Sequence, residues 1–131
     1  MESNTQHLER ILSVLKEKHK QMDNLMTLTK ELERVMETAD PESFGAVLTM
    51  RQGSMETIDK HNEEVKEILE EMEQNSREKI KIILGTELPE DILNRDCVIE
   101  ADIFETNRKT LSLLKKIVKL DEEINKKMKG G

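Results

Sequence analysis

Ala39-Asp40-Pro41-Glu42 separates two long stretches, residues 5–39 and 41–84, that carry apolar residues at helical spacing and contain no other proline. Asp40 suits an N-cap, Pro41 the first helical position, and Glu42 the positive end of a new helix dipole. One helix therefore ends here and another begins. A connection this short between long apolar stripes makes the two helices antiparallel neighbours, so the chain reads as a helical hairpin.

Working back from the break, Leu8, Leu15, Met22, Thr29 and Met36 fall at heptad position a, and Ile11, Lys18, Leu25 and Leu32 at position d. Most are apolar, as a coiled-coil-like seam requires. Leu12, Val14, Met26, Leu28 and Val35 widen the stripe enough to contact two neighbours, so a third helix is expected. Forward from the break, Phe44, Val47, Leu48, Met55, Ile58, Val65, Ile68, Leu69, Met72, Ile80 and Ile83 recur until Gly85 supplies a stop. Arg51, Ser54, His61 and Asn62 interrupt this seam, where local polar contacts fix register at some cost in stability. After Gly85-Thr86-Glu87-Leu88-Pro89 a third helical region runs to about residue 129, with a possible break at Asn94–Cys97. The basic tail Lys126-Lys127-Met128-Lys129 places positive charge at that helix's negative end, and Gly130-Gly131 reads as a loose end. The expected fold is all-α: a single domain, residues 1–131, forming an antiparallel bundle of three long helices at about 5–39, 41–84 and 89–129.

The chain has 131 residues, 35% hydrophobic and 37% charged, which suits a thin bundle better than a thick globular core. Two Phe and no Trp or Tyr leave no stacking platforms, and a net charge of -7 opposes a phosphate backbone. Nucleic acid is not an expected partner. Runs such as Ile82-Ile83-Leu84 are far too short to cross a bilayer, and Met1-Glu2-Ser3-Asn4-Thr5 lacks signal-peptide character. With Cys97 alone there is no internal disulfide, and a cytoplasmic location is expected.

No catalytic constellation emerges. His7, His19 and His61 lack the Glu-x-x-His spacing of a di-iron bundle, and one Cys with scattered His makes no zinc set. His61 stands mid-helix, as in phosphotransfer domains, but without the small residues downstream that admit a partner's active site. Glu63, Glu64, Glu67, Glu70, Glu71 and Glu73 spread round a helix with no loop to fold them about a cation, so they read as a solvated face. Cys97 reads as a small hydrophobe. Neither an enzyme nor a cofactor is expected.

Helix length gives the stronger clue. At about 1.5 Å per residue the first helix spans about 50 Å and should reach only as far as Asn75 on a longer second helix. Ile80, Ile82, Ile83 and Leu84 are then expected to overhang, joined by Leu88, Ile92, Leu93, Val98 and Ile99 from the third region. Exposed apolar surface of this kind marks a partner site. The expected partner-binding residues are Ile80, Ile83, Leu88, Ile92 and Val98, with Ile117 on the last helix. If the third region instead folds over the overhang, recognition moves to the last helix around Leu113, Ile117 and Leu120.

The segment Phe44-Gly45-Ala46-Val47-Leu48-Thr49-Met50-Arg51-Gln52-Gly53-Ser54-Met55-Glu56-Thr57-Ile58-Asp59-Lys60 resembles the Leu-rich, Arg-Gln, Ile-Asp pattern of flagellar export chaperones of the FlgN and FliT type. Leu114-Lys115-Lys116-Ile117-Val118-Lys119-Leu120-Asp121-Glu122-Glu123-Ile124-Asn125 is similar to their last helix. The resemblance implies a cytoplasmic type III export chaperone that holds a C-terminal amphipathic helix of a hook-associated or filament-cap protein, prevents its premature assembly, and delivers it to the export apparatus. Adaptable methionines in a thin bundle fit such exchange of helix contacts. The alternative is a structural coiled-coil adaptor in which the same apolar surface makes a homodimer.

Overall fold

The computed structural model describes residues 3–38, 40–85 and 97–130. The chain is all-α, with α1 Asn4–Thr38, α2 Pro41–Glu71, α3 Gln74–Gly85 and α4 Val98–Lys129. Helix α1 opens on a reciprocal capping box: the Gln6 amide donates to Ser3 Oγ at 3.2 Å, and the Ser3 amide to Gln6 Oε1 at 2.8 Å. At the start of α2, extended Asp40 accepts from the Glu42 amide at 3.1 Å and the Ser43 hydroxyl at 2.7 Å, with Pro41 at the first position. The expected break is there.

The expected single helix over 41–84 is instead two. Met72 is extended (φ -82°, ψ 155°), and the Glu73 carboxylate caps α3 by accepting from the Asn75 amide at 3.2 Å and the Ser76 amide at 3.3 Å. The break carries a charge cost, since it leaves Glu70 and Glu71 in the last turn of α2, at the negative end of its dipole, with no basic residue in that turn. Ending α2 at Glu71 moves Glu73 to the positive end of the next helix, where its charge stabilises. The third region forms a helix from Val98 onward; its expected start at Pro89 lies outside the described residues.

Helix α1 is the shared partner. It packs on both α2 and α4, whereas α2 and α4 lie farther from one another. Cross-helix contacts give the directions. Gln21 meets Ser54 (Ser54 Oγ donates to the Gln21 carbonyl, 3.1 Å) and Arg10 meets Glu71 (2.8 Å), so α2 runs against α1. Lys127 of α4 reaches Glu33 and Glu37 near the C-terminus of α1 at 3.5 and 3.3 Å, so α4 runs with α1.

The core forms three clusters along this axis. Nearest the N-terminus of α1, Leu8, Ile11 and Leu15 meet Val65, Ile68 and Leu69 of α2, Ile80 and Ile83 of α3, and Ile103 and Phe104 of α4. The middle joins Met22, Leu25, Ile58 and Ile117; the hairpin end joins Leu32, Val35, Val47 and Ile124. Two polar groups on the seam are anchored: Thr29 Oγ donates to the Leu25 carbonyl at 2.7 Å, and Arg51 pairs with Asp121 of α4 at 3.0 Å. Lys18, at a seam position, is partly buried, and desolvation lowers its pKa.

Helix α3 does not prolong α2. Lys79 meets Glu100 of α4 at 3.0 Å, and Asn107 Nδ2 donates to the Leu84 carbonyl at 3.0 Å, so α3 advances in the same sense as α4. It therefore turns back relative to α2 and closes over the end of the bundle. The overhang expected from the length mismatch is absent, because the two-residue break at Met72-Glu73 redirects the chain before it can project.

Replacing Leu25 or Leu32 by Ala removes a buried side chain shared by three helices and should each cost roughly 2 to 4 kcal/mol in chemical denaturation. A second expectation concerns acid. The Ser43 hydroxyl, together with the Ser43 and Glu42 amides, holds the Asp40 carboxyl below its usual range, and the Asn75 and Ser76 amides do the same for Glu73. A carboxyl lowered by folding stabilises above its unfolded pKa of about 4 and loses that contribution as pH falls through the folded value. Asp40→Asn and Glu73→Gln should therefore each flatten the fall in melting temperature below about pH 4, measured by circular dichroism.

Candidate functional site

Of the residues expected to form the partner site, the described ones are not brought to one surface. Ile80 and Ile83 are 1% and 0% exposed, within the cluster at the N-terminal end of α1. Ile117 is buried in the separate middle cluster against Met22, Leu25 and Ile58. Val98, the first residue of α4, is 69% exposed and belongs to no cluster. Leu88 and Ile92 lie outside the described residues. The correction follows from the turn at Met72-Glu73: isoleucines that a straight helix would project are folded into the core by a reversed one.

Open apolar surface lies elsewhere, between α2 and α4. The Arg51–Asp121 pair spans these helices and fixes which faces look toward each other. Leu48 and Met55 lie three and four residues from Arg51, and Val118 and Leu114 three and seven from Asp121, so all four share the stripes that flank the ion pair. They are between 40% and 47% exposed. Helix α3 covers the other half of this groove. Its polar contacts, Glu100 and Asn107, sit on the α4 stripe that continues through Leu111 and Leu114 to Val118, at three- and four-residue steps. Among the described residues, the arrangement is a bundle with a short fourth helix of 12 residues and no helix over the α2 and α4 stripes beyond its end.

The electrostatics of the groove are mixed. The Arg51 side chain is 14% exposed, and one terminal nitrogen meets both Asp121 oxygens at 3.0 Å while Nε finds no partner among the described residues. The Nε donor is itself buried and goes unused in this arrangement. At the α3 end, Glu100 is buried with Oε1 on Lys79 and no partner for Oε2 among the described residues. At the hairpin end, Val35, Met36, Pro41, Phe44 and Met128 line an open apolar depression of about 270 Å³ with Asp40 at its edge. Methionine and a single aromatic ring give it an adaptable wall.

Sequence reasoning singled out Arg51 and missed Glu100 and Asn107. A buried glutamate and asparagine carry no mark along the chain, since only the return of α3 surrounds them. The Glu63–Glu73 carboxylates are exposed, as expected for a solvated face, with Glu71 taken by Arg10. Among the described residues, no group of three or more His, Cys, Asp or Glu is placed to hold a metal ion, and no helix is long and apolar enough to cross a membrane.

No protein-family model, curated protein or solved structure matches the chain.

Proposed function

We propose that the protein is a cytoplasmic helix-binding chaperone of the flagellar type III export kind. It takes the C-terminal amphipathic helix of a hook-associated or filament-cap protein, keeps it from assembling, and presents it to the export apparatus. The observation that supports this reading best is the unfinished fourth-helix position, in which exposed Leu48, Met55, Leu114 and Val118 continue the groove that α3 only half fills. An amphipathic helix laid there completes a four-helix layer by helix-in-groove packing.

The magnitudes suit a carrier. Fully burying a leucine or valine contributes about 1.5 to 3 kcal/mol, so covering four half-exposed side chains supplies roughly 4 kcal/mol before ordering costs. Micromolar affinity needs about 8 kcal/mol, and the remainder falls to the client's own apolar face. A client held this way is protected and still releasable.

Leu114→Glu and Val118→Glu should each weaken capture of an axial protein's C-terminal segment by about tenfold or more in calorimetry, because a charge in the groove must be desolvated. Their melting temperatures should stay close to that of the unaltered chain. Leu25→Ala should do the reverse. Capture that survives both groove variants overturns the assignment, and a dimer in light scattering that the same variants dissolve supports the homodimeric adaptor instead.

A further inference from the structure

Helix α3 is a poor helix by itself and an imperfect fit where it lies. Twelve residues are too few to hold a helix in water without tertiary support. That support rests on few residues: Ile80 and Ile83 enter the core, the Leu84 side chain packs against it, Lys79 pairs with Glu100, and Asn107 donates to the Leu84 carbonyl. The opposite side offers Ile82 to solvent. Glu100 is the weak point. Its side chain is 8% exposed in the first turn of α4, Lys79 Nζ reaches Oε1 at 3.0 Å, and buried Oε2 has no hydrogen-bond partner among the described residues. A buried carboxylate oxygen left without a donor is costly, and the point charge of a lysine serves one oxygen only. The planar fork of an arginine serves both.

We infer that α3 is an internal stand-in for a partner helix, and that the partner displaces it by presenting an arginine immediately before an apolar pair spaced three apart, Arg-Ile-x-x-Ile. This pattern copies Lys79-Ile80-Lys81-Ile82-Ile83 with the one change that satisfies Glu100. It rests on the helix-binding reading above and adds the identity of the recognised motif and the element that yields to it. The direction is set as well. Because α3 advances with α4, the incoming helix does too, and its later turns run over Leu114 and Val118 toward the Arg51–Asp121 pair. Glu100 and Asp121 are separated by about 30 Å of α4, so the partner helix is roughly 20 residues long. Its advantage over α3 is twofold: both Glu100 oxygens gain donors, and the open half of the groove is covered.

The test uses the full chain and a synthetic helix of about 24 residues. The probe begins with the Gln74–Gly85 sequence carrying Lys79→Arg and continues with leucine at helical spacing; a matched probe keeps the lysine. Adding the arginine probe should raise amide exchange in α3 by about tenfold or more while α1 stays protected, and the lysine probe should bind about tenfold more weakly. In Glu100→Gln the two probes should bind alike. The arginine–lysine comparison on the unaltered chain needs no variant to fold. Failure of the arginine probe to bind, binding that leaves α3 exchange unchanged, or equal affinity of the two probes overturns the inference. An axial protein's own C-terminal helix measured in parallel separates the two readings: if it binds without loosening α3 the chaperone reading stands alone, and if only the probe displaces α3 the inference stands without it.

Discussion

The bundle depends on the width of the apolar stripe on α1. Leu8, Ile11, Leu15, Met22, Leu25, Leu32 and Val35 are all buried, and no single helix can cover so broad a face along its whole length. Two helices are needed, α2 on one side and α4 on the other. Each core cluster accordingly draws on α1 and on both of these partners. Because α1 occupies the central position, α2 and α4 stay apart, and the groove between them is a direct consequence of the stripe's width.

What fills that groove is decided by chain reversal, which carries Ile80 and Ile83 into the core. Helix α2 ends on Glu70 and Glu71, whose carboxylates meet the negative end of its dipole with no basic residue in the last turn. The break at Met72-Glu73 offsets part of that cost by making Glu73 the cap of the next helix, and the chain then returns as α3 over the bundle. The resulting fourth helix is short, so the layer is complete at one end and open at the other. A structure built in this way offers its surface to helices, and the same geometry that shelters Ile80 and Ile83 leaves Leu114 and Val118 uncovered.

The polar groups in the bundle divide by role. Ser54 on Gln21 and Arg51 on Asp121 pin neighbouring helices in register, for which apolar contacts alone are too permissive. Asn107 supplies the carbonyl cap that the end of α3 lacks. Glu100 is buried with one carboxylate oxygen on Lys79 and the other without a hydrogen-bond partner among the described residues. A buried ion pair is weak evidence for stability and better evidence for selectivity, because it penalises any occupant of the groove that lacks a matching cation.

The helical class and the hairpin at Asp40-Pro41 were determined by the sequence alone, because caps, prolines and heptad spacing act over a few residues and leave their signature in order along the chain. So was the need for more than two helices, written in the breadth of the α1 stripe. The second break was not legible: neither proline nor glycine marks Met72-Glu73, and a glutamate as cap has no distinctive pattern. For that reason Ile80 and Ile83, correctly read as apolar and helical, were assigned to an open surface when they belong to the core. Periodicity tells which face of a helix is apolar but never what covers it. Only the tertiary structure decided that α3 returns, that Glu100 is sealed beneath it, and that the uncovered apolar surface lies between α2 and α4, because each of these follows from contacts between residues distant in the chain.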